Sequence, residues 1–98
     1  MHEDLQEARI LASCAAGPRT VAEMLWQSKA TPHSSRFSLL LKMLRKKGYL
    51  RRQKDPSNKR FVLNSLTETG QKRLADLLVK IQQDIEEIER FIEEARSL

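Results

Sequence analysis

Apolar positions in the first half of the chain recur three and four residues apart, the spacing that places side chains on one face of an α-helix. Leu5, Ala8, Leu11 or Ala12, and Ala15 form such a stripe from Glu3 to Ala16, and Gly17-Pro18 stops it. Thr20-Val21-Ala22-Glu23 is a capping box, in which the hydroxyl and the carboxylate each satisfy a backbone N–H left over at a helix start. A short second helix is expected there, with Val21, Met24 and Leu25 inward. Thr31-Pro32 is a further start signal, a hydroxyl at the N-cap followed by a proline at the first helical position. The third helix is expected to reach about Lys47 and end at Gly48, a C′ glycine. Its apolar stripe is Phe37, Leu40, Leu41 and Leu44.

The period then changes. Tyr49 to Gln53 and Phe61 to Ser65 read as two short strands, joined by the polar loop Lys54 to Arg60, which is rich in turn formers. Thr67 is expected to cap a last helix running to about Ser97. Roughly 29 residues at 1.5 Å each make a rod about 44 Å long, more than so small a domain can cover. Within it Leu74, Leu78, Ile81, Ile85, Ile88, Ile92 and Ala95 alternate four and three residues apart, the seam of a coiled coil, widened by Leu77 and Phe91. The expected fold is mostly α with a small β-hairpin wing (α+β): a winged helix-turn-helix with a long C-terminal coiled-coil helix. Residues 1–66 would form the nucleic-acid-binding domain and residues 67–98 the dimerisation helix.

Charge sharpens this division. The net charge of the 98 residues is +5. Yet from Lys29 to Arg60 there are eleven basic side chains against the single acid Asp55, and from Ile81 to Leu98 there are six acids against Arg90 and Arg96. A basic block followed by an acidic one suits a polyanion-facing module joined to something else. The block coincides with the third helix and the hairpin, the two elements that such a fold offers to a duplex.

The run Leu44-Arg45-Lys46-Lys47-Gly48-Tyr49-Leu50-Arg51-Arg52, then Asp55-Pro56-Ser57-Asn58-Lys59-Arg60, then Leu66-Thr67-Glu68-Thr69-Gly70 resembles the MarR pattern of multiple-antibiotic-resistance regulators. The resemblance covers about residues 20 to 74. The single long terminal helix is closer to the PadR or archaeal coiled-coil chromatin-protein plan. The resemblance implies a homodimeric DNA-binding transcriptional regulator. Its recognition helix, about residues 32–47, would lie in the major groove, and its wing, residues 54–60, on the backbone or in the minor groove.

Ser34, Ser35, Arg36, Ser38 and Lys42 lie off the apolar stripe of the third helix. Arg36 suits bidentate pairing with guanine, and the serines suit bases or phosphates. Arg52, Lys54, Lys59 and Arg60 are the hairpin's candidates for phosphate or the minor groove. Two other readings stay open: a sequence-tolerant architectural or plasmid-partition DNA-binding protein, and a winged-helix protein–protein module. Catalysis is not expected, since the two His and one Cys form no metal-ligand or nucleophile pattern and no Gly-rich phosphate loop is present. Nor is a cofactor expected, and any small-molecule effector is left open. Cys14 is read as a small buried apolar residue, and Trp26 as core or interface. With no apolar run long enough for a bilayer and no N-terminal signal segment, the expected location is the cytoplasm.

Overall fold

The computed structural model describes residues 2–28 and 35–98. In chain order it contains α1 (His2–Ser13), α2 (Val21–Ser28), α3 (Ser35–Lys46), β1 (Leu50–Lys54), β2 (Val62–Leu66) and α4 (Glu68–Arg96). The molecule measures 61 × 29 × 21 Å, and its length comes from α4.

The capping box forms. Thr20 N–H donates to Glu23 Oε1 at 3.0 Å, and Glu23 N–H donates to Thr20 Oγ1 at 3.3 Å. The two hydrogen bonds start α2 where the chain leaves the turn after α1. Helix α3 ends at the expected glycine: Gly48 has φ +80°, its N–H donates to Arg45 O at 3.0 Å, and Tyr49 N–H donates to Leu44 O at 3.0 Å. This Schellman arrangement reverses the chain into β1. It also moves the strands one residue later than the expected runs, because the Tyr49 N–H is taken by the helix end. The strands pair antiparallel, with Leu50 opposite Leu66 and Lys54 opposite Val62. Arg19 adds an isolated bridge to Asn64, so a third short segment flanks β2. The start of α3, including the Thr31-Pro32 signal, lies outside the described residues.

The core gathers Ala8, Ile10, Leu11 and Cys14 from α1, Met24 from α2, Phe37, Leu41 and Leu44 from α3, Leu50 from β1, and Leu74, Leu77 and Ile81 from α4. Leu40 packs at its edge. One expectation fails on α2 and another is narrowed. Val21 is exposed rather than inward, and Trp26 stands 83% exposed, outside the core, which leaves the interface reading of that residue. An eight-residue helix has room for one buried face, and Met24 and Leu25 fill it.

The base of α4 is fixed by a small set of polar contacts. The Thr67 hydroxyl lies 2.6 Å from Gly48 O and 3.1 Å from Tyr49 O, and it accepts from Gly70 N–H at 2.9 Å. Gly70 is buried against the Tyr49 carbonyl, and a Cβ there would collide with it. Farther along, Glu7 of α1, nearly buried, takes Arg73 of α4 through Nε at 2.5 Å and Nη2 at 3.3 Å, and Asp4 pairs with Lys80 at 2.8 Å. The Arg73 guanidinium also sits 6.0 Å from the Tyr49 ring centre. Helix α1 is thereby tied along the first half of α4, and that half belongs to the core.

Candidate nucleic-acid interface

The apolar stripe of α3 fixes which of its residues look outward. With Phe37, Leu41 and Leu44 buried, Ser38 and Lys42 share one exposed strip, four residues apart. Arg36 is exposed on another side. It lines a cleft of about 440 Å³ between α1, α3 and α4, together with Glu3, Asp4, Glu7, Leu39, Met43 and Arg73. So the helix brings Ser38 and Lys42 together and sets Arg36 apart from them. Ser34 and the side chain of Ser35 lie outside the described residues, as does His33. Leu39, 68% exposed, occupies the outward face between the two groups. Hydrophobic periodicity gives no signal for it, since it lies off the apolar stripe and carries no charge. A groove-facing apolar side chain suits the thymine methyl group.

The wing is built by short side-chain-to-backbone bonds. Asp55 Oδ1 accepts from Ser57 N–H at 2.9 Å and from Ser57 Oγ at 2.7 Å, and Asn58 Oδ1 accepts from Arg60 N–H at 3.1 Å. The Ser57 hydroxyl and backbone N–H hold the Asp55 carboxyl below its ordinary value. These turns consume the polar groups of Asp55 and Asn58 and leave Lys54, Lys59 and Arg60 exposed. Arg52 is exposed on β1, at the base of the wing.

The ion pairs of the described residues are Lys72 with Glu68, Arg73 with Glu7, and Lys80 with Asp4. Every one involves α4. Among the described residues, the basic side chains from Arg36 to Arg60 have no carboxylate partner. Asp55, the one acid in that stretch, is turned into its own loop. The result is an uncompensated positive surface running from α3 to the wing tip.

Arg45, in the last turn of α3, reaches across to the sheet. Its Nε donates to Asn64 Oδ1 at 2.9 Å, and Asn64 is fully buried on β2. Burial first, and the nearby Arg52 charge second, lower the Arg45 pKa. Nineteen residues separate the pair, so helix periodicity gave no sign of it. Cys14 is buried as expected, and burial pushes its thiol pKa up, away from the reactive thiolate.

On α4, Leu74, Leu77 and Ile81 are buried by the chain's own core. Leu74 and Ile81 therefore leave the proposed seam, because α1 already covers them. Leu78 is 53% exposed, and farther out Ile85, Ile88, Phe91 and Ile92 are all exposed, as is Ala95. The uncovered apolar stripe thus starts at Leu78 and runs down the outer half of the helix.

Solved structures share this arrangement. The chain superposes on the transcriptional regulator BldR from Sulfolobus solfataricus with a TM-score of 0.76 at 20% identity, over 94% of this chain and 70% of that one. Transcriptional regulator PA4135 gives a TM-score of 0.72 at 26% identity, over 92% and 66%. The chain has the winged-helix fold of MarR-like transcriptional regulators. Sso10a-2, a DNA-binding protein from Sulfolobus solfataricus, matches with a TM-score of 0.70 at 15% identity, over 93% of this chain and 92% of that one. No protein-family model and no curated protein matches the chain. Among the described residues, no winged-helix element is long and apolar enough to cross a membrane, and no cluster of His, Cys, Asp and Glu could hold a metal ion.

Proposed function

We propose that this chain is a DNA-binding transcriptional regulator that acts as a homodimer. The observation that carries the reading is the uncompensated positive surface of α3 and the wing, on a fold that presents those two elements side by side. The carboxylate-paired bases among the described residues, Lys72, Arg73 and Lys80, all lie on α4, away from this surface. A polyanion supplies the missing counter-charge, and phosphate contacts with counterion release give the affinity. The recognition helix, about residues 32–47, enters the major groove with Ser34, Ser35, Ser38 and Lys42, while Leu39 touches a thymine methyl and Arg36 approaches from the cleft side. Arg52, Lys54, Lys59 and Arg60 hold the backbone or the neighbouring minor groove. BldR and PA4135, which share the fold, are transcriptional regulators, in line with this reading.

The outer half of α4 joins two copies through Leu78, Ile85, Ile88, Ile92 and Ala95. An apolar stripe on a helix that projects beyond its own core stays in water unless a second molecule covers it. Residues 1–66 then serve DNA and residues 67–98 serve association, with the first half of α4 shared between them. Two copies held at a fixed separation read two half-sites, and the second contact becomes intramolecular.

The near-complete mutual coverage with Sso10a-2, a DNA-binding protein, supports a second reading, DNA binding without regulation, which would tolerate many sequences. One experiment separates the two. Duplexes are selected from a random pool, and the winner and a scrambled duplex are titrated at several salt concentrations. A regulator prefers the winner by roughly 10³-fold or more, with half-sites at one helical turn or a multiple. Steep salt dependence without preference supports the second reading. No binding to any duplex at 50 mM salt overturns both and leaves a protein-binding module.

A further inference from the structure

The sheet carries a row of positive charge with no counter-charge. Arg19 and Asn64 exchange two backbone hydrogen bonds, of 2.9 and 2.7 Å, and Asn64 stands opposite Arg52 on β1. Directly opposed residues project to the same face of a sheet, so Arg19, Asn64 and Arg52 are neighbours on one face. Arg45 reaches that face from the end of α3 and binds Asn64 Oδ1. Arg45 thus contacts the carboxamide, the Arg52 charge acts on Arg45, and Arg19 flanks Asn64 through the backbone pairing. Among the described residues, none of the three is ion-paired. Glu23, whose carboxylate feels the Arg19 charge, is engaged by Thr20 instead.

Two donors in this row are buried without an acceptor: Arg19 Nε and Asn64 Nδ2. The orientation of the carboxamide is decided by Arg45, because a guanidinium only donates and so requires the amide oxygen. The amide nitrogen is left facing no partner. A fully buried orphan donor is costly, and clustered like charges are costly as well. The row's acceptors are Asn64 Oδ1, taken by Arg45, and the Pro18 carbonyl 3.4 Å from Arg19 Nη1; the remaining donors and positive charges, with no carboxylate among them, are complementary to an oxyanion. Guanidinium forks grip two oxygens of such a group at once. A water molecule would satisfy a donor but leave the charges opposed.

We propose that Arg19, Arg45, Arg52 and Asn64 form a binding site for a phosphate-type oxyanion at the base of the wing. The tetrahedral group bridges the guanidinium ends from α3, β1 and the Arg19 segment, and it locks the wing to the recognition helix. Its source is either a phosphodiester of bound nucleic acid or a free phosphate.

Thermal melting of the full chain in inorganic phosphate and in sodium chloride, at equal ionic strength, tests the site. Phosphate is expected to give a saturable rise that chloride does not, about 6–11 °C at ten times its Kd. Arg52→Met, at an exposed side chain, is expected to lose that rise and to melt at or above the parent in chloride, since a like charge has been removed. Arg45→Gln is a second variant that should lose the phosphate effect. Equal melting of the parent in both salts overturns the proposal. So does a phosphate rise that both variants keep in full, since the anion is then bound elsewhere. Duplex titration with and without phosphate at ten times its Kd identifies the source. A roughly tenfold weakening assigns the site to a DNA phosphodiester, and unchanged affinity assigns it to a free oxyanion. Melting requires no duplex, so failure of the site and failure of the DNA reading are distinguishable.

Discussion

Replacing Gly70 by alanine tests the joint at the base of α4. In an open helix the change would stabilise the chain, by up to about 1 kcal/mol, through the better helix propensity of alanine. Here the added methyl runs into the Tyr49 carbonyl and the Leu66 side chain. The Leu66 methyl can swing aside. The carbonyl cannot, because it accepts from Thr67 N–H at 3.1 Å and lies 3.1 Å from the Thr67 hydroxyl. To make room, α4 must back away from β1 and lengthen those bonds. Overpacking costs about 1–3 kcal/mol, and the weakened hydrogen bonds cost about 1 kcal/mol more. Against the propensity gain the net loss is about 1–3 kcal/mol, a fall in melting temperature of roughly 4–24 °C for a domain of this size. Circular dichroism melts of Gly70→Ala and of the exposed neighbour Thr69→Ala give the comparison, and the latter should stay within about 0.5 kcal/mol of the parent. A Gly70→Ala protein that melts at or above the parent would show that the close approach imposes no constraint.

Four further outcomes are expected. Replacing Lys59 and Arg60 together by alanine should weaken binding to all duplexes alike and flatten the log–log salt slope by up to about 1.8, as fluorescence anisotropy across a salt series would show; an unchanged slope removes the wing from the interface. Arg36→Ala should cost roughly 1–3 kcal/mol on the selected duplex and relax one base preference, whereas full retention of that preference assigns Arg36 to the cleft. Ile85→Asp with Ile88→Asp should give a monomer by light scattering with the winged-helix core still folded by circular dichroism, because both residues are exposed; a parent that is already monomeric at micromolar concentration refutes the seam. Hydrogen bonds from the Thr20 N–H and hydroxyl lower the Glu23 pKa from its ordinary 4.5, so its contribution is present above that value and is lost as pH falls through the lower folded value. The acid limb of the stability curve should therefore be shallower in Glu23→Gln, and an identical limb counts against the cap.

Local chemistry was legible in the sequence where it is decided within a few residues. The Thr20–Glu23 box, the Gly48 helix end and the Thr67 cap each close on themselves, so spacing alone revealed them. What depended on a distant neighbour was less visible. The heptad spacing marked Leu74 and Ile81 as apolar face residues, but it could not say whether α1 or a second chain would cover them. Residue type left Trp26 open as core or interface, and only the packed helix, with Met24 inward, sets it outside the core. The Arg45–Asn64 bond needs the β1–β2 register before the two residues meet, and no periodicity encodes it. On α3 the stripe separated inward from outward positions. It did not separate the Arg36 side from the Ser38 side, because that distinction exists only once α1 and α4 are in place.

The joint that holds Thr67 and Gly70 against the end of α3 sits at one end of a 29-residue helix. Mechanically that is a lever. A 10° tilt at the base carries the far end of a roughly 44 Å rod through about 8 Å, the distance between the axes of two packed helices. Whatever grips the tip can thus feel small rotations at the reading head, and whatever turns the reading head is felt at the tip. Stiffness at this one corner decides whether the two ends of the molecule move together or independently.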